Sequence, residues 1–156
     1  MDRLGVYIHI PFCVSKCGYC DFYSIAGGRQ RMSDYQSALL SHISESAEAM
    51  SSYEIDSIYI GGGTPSCYGA KRIVEILDEL KRIGNVRLDS EITVEVNPDT
   101  TKLEELKLLR AEGVNRLSIG VQSAGRDAMR SRQMPINASM AGPGTVNAEL
   151  KRYSGL

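Results

Sequence analysis

Cys13, Cys17 and Cys20 form a C-x3-C-x2-C array within the eight residues CVSKCGYC. A loop this short can point three sulfurs inward around a compact inorganic core, and iron–sulfur clusters are held by such cysteine thiolates. Structural zinc is the competing reading, but it normally takes four ligands. His9, four residues before Cys13, could be offered as the fourth. Zinc would then leave the segment GGGTPS at 61–66 and the acidic Glu95 without a role. Cys67, directly after that segment, reads as a bystander thiol.

The groups around the cysteines must be positioned by regular elements. Four runs have strand character: VYIHI at 6–10, SIYI at 57–60, EITVEV at 91–96 and RLSIGVQ at 116–122. Helical patterns fill the gaps, giving the order β-α-β-α-β-α-β. The spacings Ser33 to Gln36 and Thr101 to Glu104 are those of capping boxes and predict helix starts near Asp34 and Lys102. Apolar stripes follow at Leu40, Ile43, Ala47 and Met50, at Ile73, Ile76, Leu77 and Leu80, and at Leu103, Leu106 and Leu109, with Gly84 and Gly113 as stops.

Strands and helices in alternation build an α/β parallel sheet, either open and doubly wound or a barrel or part of one. Strands buried on both faces read as unbroken apolar runs, whereas these alternate. Val6, Ile8, Ile10, Ile58, Ile60, Ile92, Val94, Val96, Leu117, Ile119 and Val121 are expected to face the helices. The opposite face carries Tyr7, His9, Tyr59, Thr93, Glu95, Ser118 and Gln122, which suits a curved sheet around a polar ligand. The alternative is an interior whose polar groups satisfy one another. Each strand ends in a distinctive loop, and ligands of parallel α/β folds bind at those C-terminal ends.

The whole chain has 156 residues, 42% hydrophobic and 24% charged, with a formal net charge of -1. That is the composition of one globular domain. It offers no long-range attraction for nucleic acid or anionic lipid. No apolar run approaches the roughly 18 residues of a membrane span, and the start lacks the regions of a signal peptide. A cytoplasmic location is expected, where thiols stay reduced and bind metal in preference to pairing.

CVSKCGYCDF, GGGTPS, EVNP and NRLSIGVQS, in this order on this strand plan, resemble the radical S-adenosylmethionine (SAM) proteins of the oxygen-independent coproporphyrinogen-III-oxidase-like family, over about residues 4–123. The resemblance implies a partial (β/α) barrel of about four βα units. It implies a [4Fe-4S] cluster on Cys13, Cys17 and Cys20 with one iron left open to the amine and carboxylate of SAM. One electron would cleave the carbon–sulfur bond to methionine and a hydrogen-abstracting 5'-deoxyadenosyl radical, chemistry that the cofactor supplies. SAM and an electron-donor protein are the implied partners. Tyr19 resembles the aromatic residue against the adenine and Tyr7 a tyrosine beside the cofactor. Gly62, Gly63 and Thr64 resemble the segment whose backbone meets the methionine amine. Glu95 resembles a SAM-binding carboxylate and Gln122 a ribose-binding residue. For His9, a packed, hydrogen-bonded role competes with a catalytic one.

The oxidase has a further cysteine two positions beyond its cluster. Asp21 and Phe22 follow Cys20 here and are similar to the haem-chaperone branch, with oxidase chemistry as the alternative. Haem or a porphyrinogen is a further partner that the resemblance implies, although the family's later strands and its histidine motif for haem have no counterpart in the chain. The family's carboxylate-binding arginine is replaced by Met134. Residues 1–123 carry 13 basic and 17 acidic side chains, and residues 124–156 carry five basic and two acidic ones around MPINASMAGPG. That shift predicts a boundary: a barrel portion over 1–123 and a divergent tail over 124–156, as in a frameshift, a gene fragment or a flexible natural tail. A third functional reading is therefore an inactive fragment that keeps the cluster-binding loop. An unpaired fourth strand would expose an edge and invite dimerisation or aggregation.

Overall fold

The alternating runs form one parallel sheet. The computed structural model describes residues 1–16, 20–98 and 100–120. The elements are β1 (Asp2–Ile10), β2 (Phe12–Cys13), β3 (Ile25–Ala26), α1 (Arg29–Glu45), α2 (Ala47–Met50), β4 (Tyr53–Gly62), α3 (Pro65–Tyr68), α4 (Ala70–Ile83), β5 (Asn85–Val96), α5 (Leu103–Ala111) and β6 (Arg116–Ile119). The main sheet runs β1-β4-β5-β6, every neighbour parallel. A doubly wound sheet reverses its order at a switch point. This one steps in a single direction, as the wall of a barrel does, and so decides between the two architectures the sequence left open.

Register explains the two faces. Val6 pairs with Ile58 and Ile58 with Ile92, while Ile8, Ile60, Val94 and Leu117 form the next apolar row. Ile8, Ile58, Ile60, Ile92 and Val94 are buried beneath Ile73, Ile76, Leu77 and Leu80 of α4. Each such side chain contributes about 1.5–3 kcal/mol on full burial. Tyr7, Tyr59, Thr93 and Arg116 form a polar row on the other face. Thr93 is buried there, with its hydroxyl on Glu91, and Arg116 pairs with the same carboxylate at 2.9 Å.

Several local expectations shift. The helix expected from Asp34 begins at Arg29 with Gly28 as its cap. Gln36 does not turn back on Ser33. It is buried, donating to the Arg72 carbonyl and to Glu75, and tertiary contact has overridden the local box. The stripe from Leu40 to Met50 is split at Ser46 into α1 and α2. At α5 the returning bond comes from Glu105 to the Lys102 amide, one residue later than the expected pair, and Thr101 caps the Asn97 carbonyl instead. Leu103 is half exposed, so only Leu106 and Leu109 of that stripe are buried.

β4 and β5 begin earlier than expected. Their register breaks between Ile55 and Ser57, where Val86 and then Glu91 are the partners. The excursion is pinned by Ser90 donating to the Ile55 carbonyl at 2.7 Å and by Arg87 on Glu54 and Asp89. Gly113, at φ +96°, turns the chain out of α5 where a side chain would be strained. No helix among the described residues is long and apolar enough to cross a membrane. The expected boundary after residue 123 lies outside the described residues.

Candidate functional site

The C-terminal ends of β1, β4 and β5 lie side by side, and hydrogen bonds tie their loops together. After β1 the chain forms β2, which pairs in parallel with β3. Ile25 donates to the Pro11 carbonyl at 2.7 Å and Gly27 to the Cys13 carbonyl at 3.0 Å. Both feet of the cysteine loop are therefore held together. Beneath it Phe12 is fully buried, stacked on Tyr68 at 5.4 Å and met edge-on by Tyr35. Tyr68 donates to Gln36 at 2.6 Å, and the Tyr35 hydroxyl donates to the His9 carbonyl. Burial raises the Tyr68 and Tyr35 phenols above their ordinary range.

Cys13 and Cys20 are free, half-buried thiols. Cys17 and Tyr19 lie outside the described residues, as does Gln122. Among the described residues no group of three or more His, Cys, Asp or Glu side chains is gathered for a metal, and the third cysteine of the array is not one of them.

The glycine segment fits between this loop and β5. Gly63 donates to the Ile10 carbonyl and Thr64 to the Phe12 carbonyl, both at 2.7 Å. A Cβ on Gly63 would lie 2.7 Å from the Phe12 oxygen and 3.0 Å from the Cys13 sulfur. Gly62 has φ +121°, and a Cβ there would strike the His9 ring at 2.7 Å. A Cβ on Gly61 would meet Tyr59 at 2.7 Å and the Glu95 carboxyl carbon at 2.9 Å. Close approach to backbone thus requires glycine at 62 and 63, at Gly62 also by its backbone angle, while a side chain at 61 would displace Tyr59 and Glu95.

Glu95 spans the same site. Its Oε1 accepts from the Tyr59 hydroxyl at 2.6 Å and its Oε2 from the Gly62 amide at 3.0 Å. Burial first, and then Glu95, push the Tyr59 and Tyr7 phenols above their usual range. A carboxylate has about four acceptor positions, so two bonds leave capacity for further donors.

His9 is engaged at both ring nitrogens. Nε2 lies 3.0 Å from the Tyr23 carbonyl and Nδ1 3.0 Å from the Tyr7 hydroxyl. A carbonyl only accepts, so Nε2 carries the proton and Nδ1 accepts from Tyr7. This matches the packed role. Cys67 donates to the Phe12 carbonyl at 3.4 Å. Burial, followed by Cys13, pushes its thiol up to about 11, so it stays protonated near neutral pH.

The loop after β5 is strapped in as well. The Asn97 amide donates to Ser66 at 3.0 Å, and Ser66 shares a 2.6 Å bond with Thr100. Sequence reasoning missed the Tyr59–Glu95 pair, the β2–β3 clasp and the aromatic nest under Phe12. Only the first had a signal, since both residues fall on the polar face. A groove lined by Gly69, Arg72, Glu104 and Leu108 joins α4 to α5 and includes none of these residues.

The sequence signature of the Radical SAM superfamily matches residues 7–148. Heme chaperone HemW of Buchnera aphidicola subsp. Schizaphis graminum is 37% identical over 138 residues, which is 88% of this chain and 37% of that protein. The Escherichia coli K12 heme chaperone HemW is 38% identical over 83% of this chain and 35% of its own length. Oxygen-independent coproporphyrinogen III oxidase of Salmonella typhimurium is 35% identical over 81% of this chain and 28% of that protein. Among solved structures, coproporphyrinogen III oxidase (HemN) from Escherichia coli, described as a radical SAM enzyme, matches with a TM-score of 0.80 at 30% identity, over 99% of this chain and 35% of its own. The chain spans about a third of the length of these relatives.

Proposed function

The chain belongs to the radical SAM superfamily, and from that premise we propose that Cys13, Cys17 and Cys20 hold a [4Fe-4S] cluster and that the rim beside it binds SAM. The observation that carries this reading is the clasped cysteine loop, seated against Gly63, where a Cβ would lie 2.7 Å from the Phe12 oxygen and 3.0 Å from the Cys13 sulfur. The donor set fits: Cys13 and Cys20 are unpaired thiols, and the Cys13 sulfur lies against Gly63. Ser24, in the same loop, has a buried hydroxyl with no partner among the described residues, as in a loop whose polar complement is supplied by a bound group.

When bound, the cluster would supply the electron that cleaves SAM to methionine and a 5'-deoxyadenosyl radical. The chain's own residues bind and orient. The amides of Gly62, Gly63 and Thr64 are already committed, so the methionine ammonium, itself a donor, is met by carbonyl oxygens of this segment. Glu95, fixed by Tyr59 and Gly62, accepts from SAM with its remaining lone pairs. Tyr7, Tyr19 and Gln122 complete the cofactor contacts.

For the whole protein we propose a haem-chaperone-like role in the cytoplasm, with SAM, an electron donor and haem as partners. It rests on Asp21 and Phe22 after the last cysteine and on the identity to proteins named heme chaperone. Coproporphyrinogen oxidase chemistry is the second reading, favoured by the 0.80 match to an enzyme of that name. Anaerobic reconstitution should give about four irons and four sulfides per chain and SAM-dependent 5'-deoxyadenosine above a Cys17→Ser control. Stoichiometric zinc with no sulfide would overturn the cluster. A haem titration with a saturable Soret change supports the chaperone reading, and coproporphyrinogen turnover without one supports the oxidase.

A further inference from the structure

Thr64 occupies the position before the short helix α3, where a threonine side chain ordinarily caps the first free amides. Here it does not. Thr64 makes no side-chain cap bond, and its hydroxyl instead donates to the Cys13 sulfur at 3.5 Å, within the range for a sulfur acceptor. Its backbone is not free to drift, because the Thr64 amide holds the Phe12 carbonyl at 2.7 Å and Gly63 holds the Ile10 carbonyl at the same distance. Gly63 has no side chain to separate the two residues. Cys67, the neighbouring thiol, donates to the Phe12 carbonyl and does not compete for Cys13.

We infer that Thr64 is a positioning residue that tunes the cluster: its hydroxyl hydrogen-bonds the Cys13 thiolate and makes the cluster easier to reduce. The inference rests on the cluster assignment proposed above. Cluster potentials respond to hydrogen bonds on the sulfurs. A one-electron reduction adds negative charge to the cluster and its thiolates, and a hydrogen bond to an ionised acceptor strengthens as that charge grows. Removing the donor therefore disfavours the reduced state. This assigns the side chain to the cluster, whereas the family resemblance places Thr64 only in the segment that meets SAM.

The test is potentiometry of the anaerobically reconstituted full chain, without SAM, using dithionite as the one-electron donor and the electron paramagnetic resonance signal of the reduced cluster as the readout. Thr64→Val keeps the shape and deletes the donor. It should leave iron and sulfide content unchanged and lower the ratio of reduced to oxidised cluster at a fixed potential at least threefold, which is a shift of about 28 mV at 59 mV per decade. Thr64→Ser should restore the wild-type value, which a purely steric role would not predict. If Thr64→Val loads poorly, Thr64→Ala carries the same expectation. A Thr64→Val or Thr64→Ala cluster with the wild-type potential overturns the inference alone. A wild-type chain that takes up no iron and sulfide overturns the cluster assignment and the inference with it.

Discussion

Gly63→Ala should damage the cysteine loop far more than it damages the fold. The new methyl would sit 2.7 Å from the Phe12 carbonyl oxygen and 3.0 Å from the Cys13 sulfur, and the carbonyl cannot simply swing away. Phe12 is fully buried in its aromatic nest, and its carbonyl is held by the Thr64 amide at 2.7 Å. Relief requires about half an ångström of backbone movement. Overpacking of this kind costs roughly 1–3 kcal/mol, and weakening the Thr64 bond adds about 0.5–1.5 kcal/mol. The total is about 1.5–4.5 kcal/mol, or roughly 3–18 °C in Tm at about 2–4 °C per kcal/mol. Gly28→Ala is the matched control, since nothing lies within 4 Å of its Cβ. Calorimetry of the cofactor-free chain and iron and sulfide assays after reconstitution read the two effects separately. A Gly63→Ala protein that melts with the wild type and takes up iron equally well would show that the close approach has no energetic consequence.

The Cys67 thiol is raised from 9.0 to about 11 in the folded chain, so the folded state holds a proton that the unfolded state releases first. Stability should be fully present below pH 9 and fall as pH rises toward 11. Two pH units correspond to about 2.7 kcal/mol at most, and about 1–2 kcal/mol after solvent screening at a half-buried site; Cys67→Ala should flatten that slope in denaturant melts. Glu95→Gln keeps the shape but offers one acceptor to two donors, Tyr59 and Gly62. It should cost about 1–2 kcal/mol and shift the Tyr59 ionisation toward lower pH in ultraviolet titration; an unmoved titration would contradict the pairing. Ser24→Ala removes a buried hydroxyl that has no partner among the described residues. It should stabilise the cofactor-free chain by up to about 1 kcal/mol, and a clear loss of Tm would mean that the hydroxyl is satisfied after all.

The sheet was readable because its signal is local. Strict alternation in Val6–Ile10 and Glu91–Val96 dictates which side chains face the helices, whatever the neighbours do. Strand order was not readable, because nothing in those runs states which edge the next strand joins. The start of α1 was misplaced for a related reason: Gln36 suits a capping box by spacing, but Arg72 and Glu75 on another helix bind it more favourably. Cys13 was flagged from residue type and spacing, Gly62, Gly63, Thr64 and Glu95 through the family resemblance of their segments, and they adjoin one another at the ends of three strands. Their mutual bonds, such as Tyr59 on Glu95, depend on register between strands more than thirty residues apart. Residue type alone cannot reveal those.

The pairing of β2 with β3 has a consequence for how metal would enter. Eleven residues separate the two strands, and bringing the ends of such a loop together costs about 2 kcal/mol of chain entropy by the logarithmic closure law. The fold has met that cost before any ion arrives, so the thiols face an incoming iron at high effective concentration. A metal donor would then meet the loop on the side where Val14 and Phe22 are exposed.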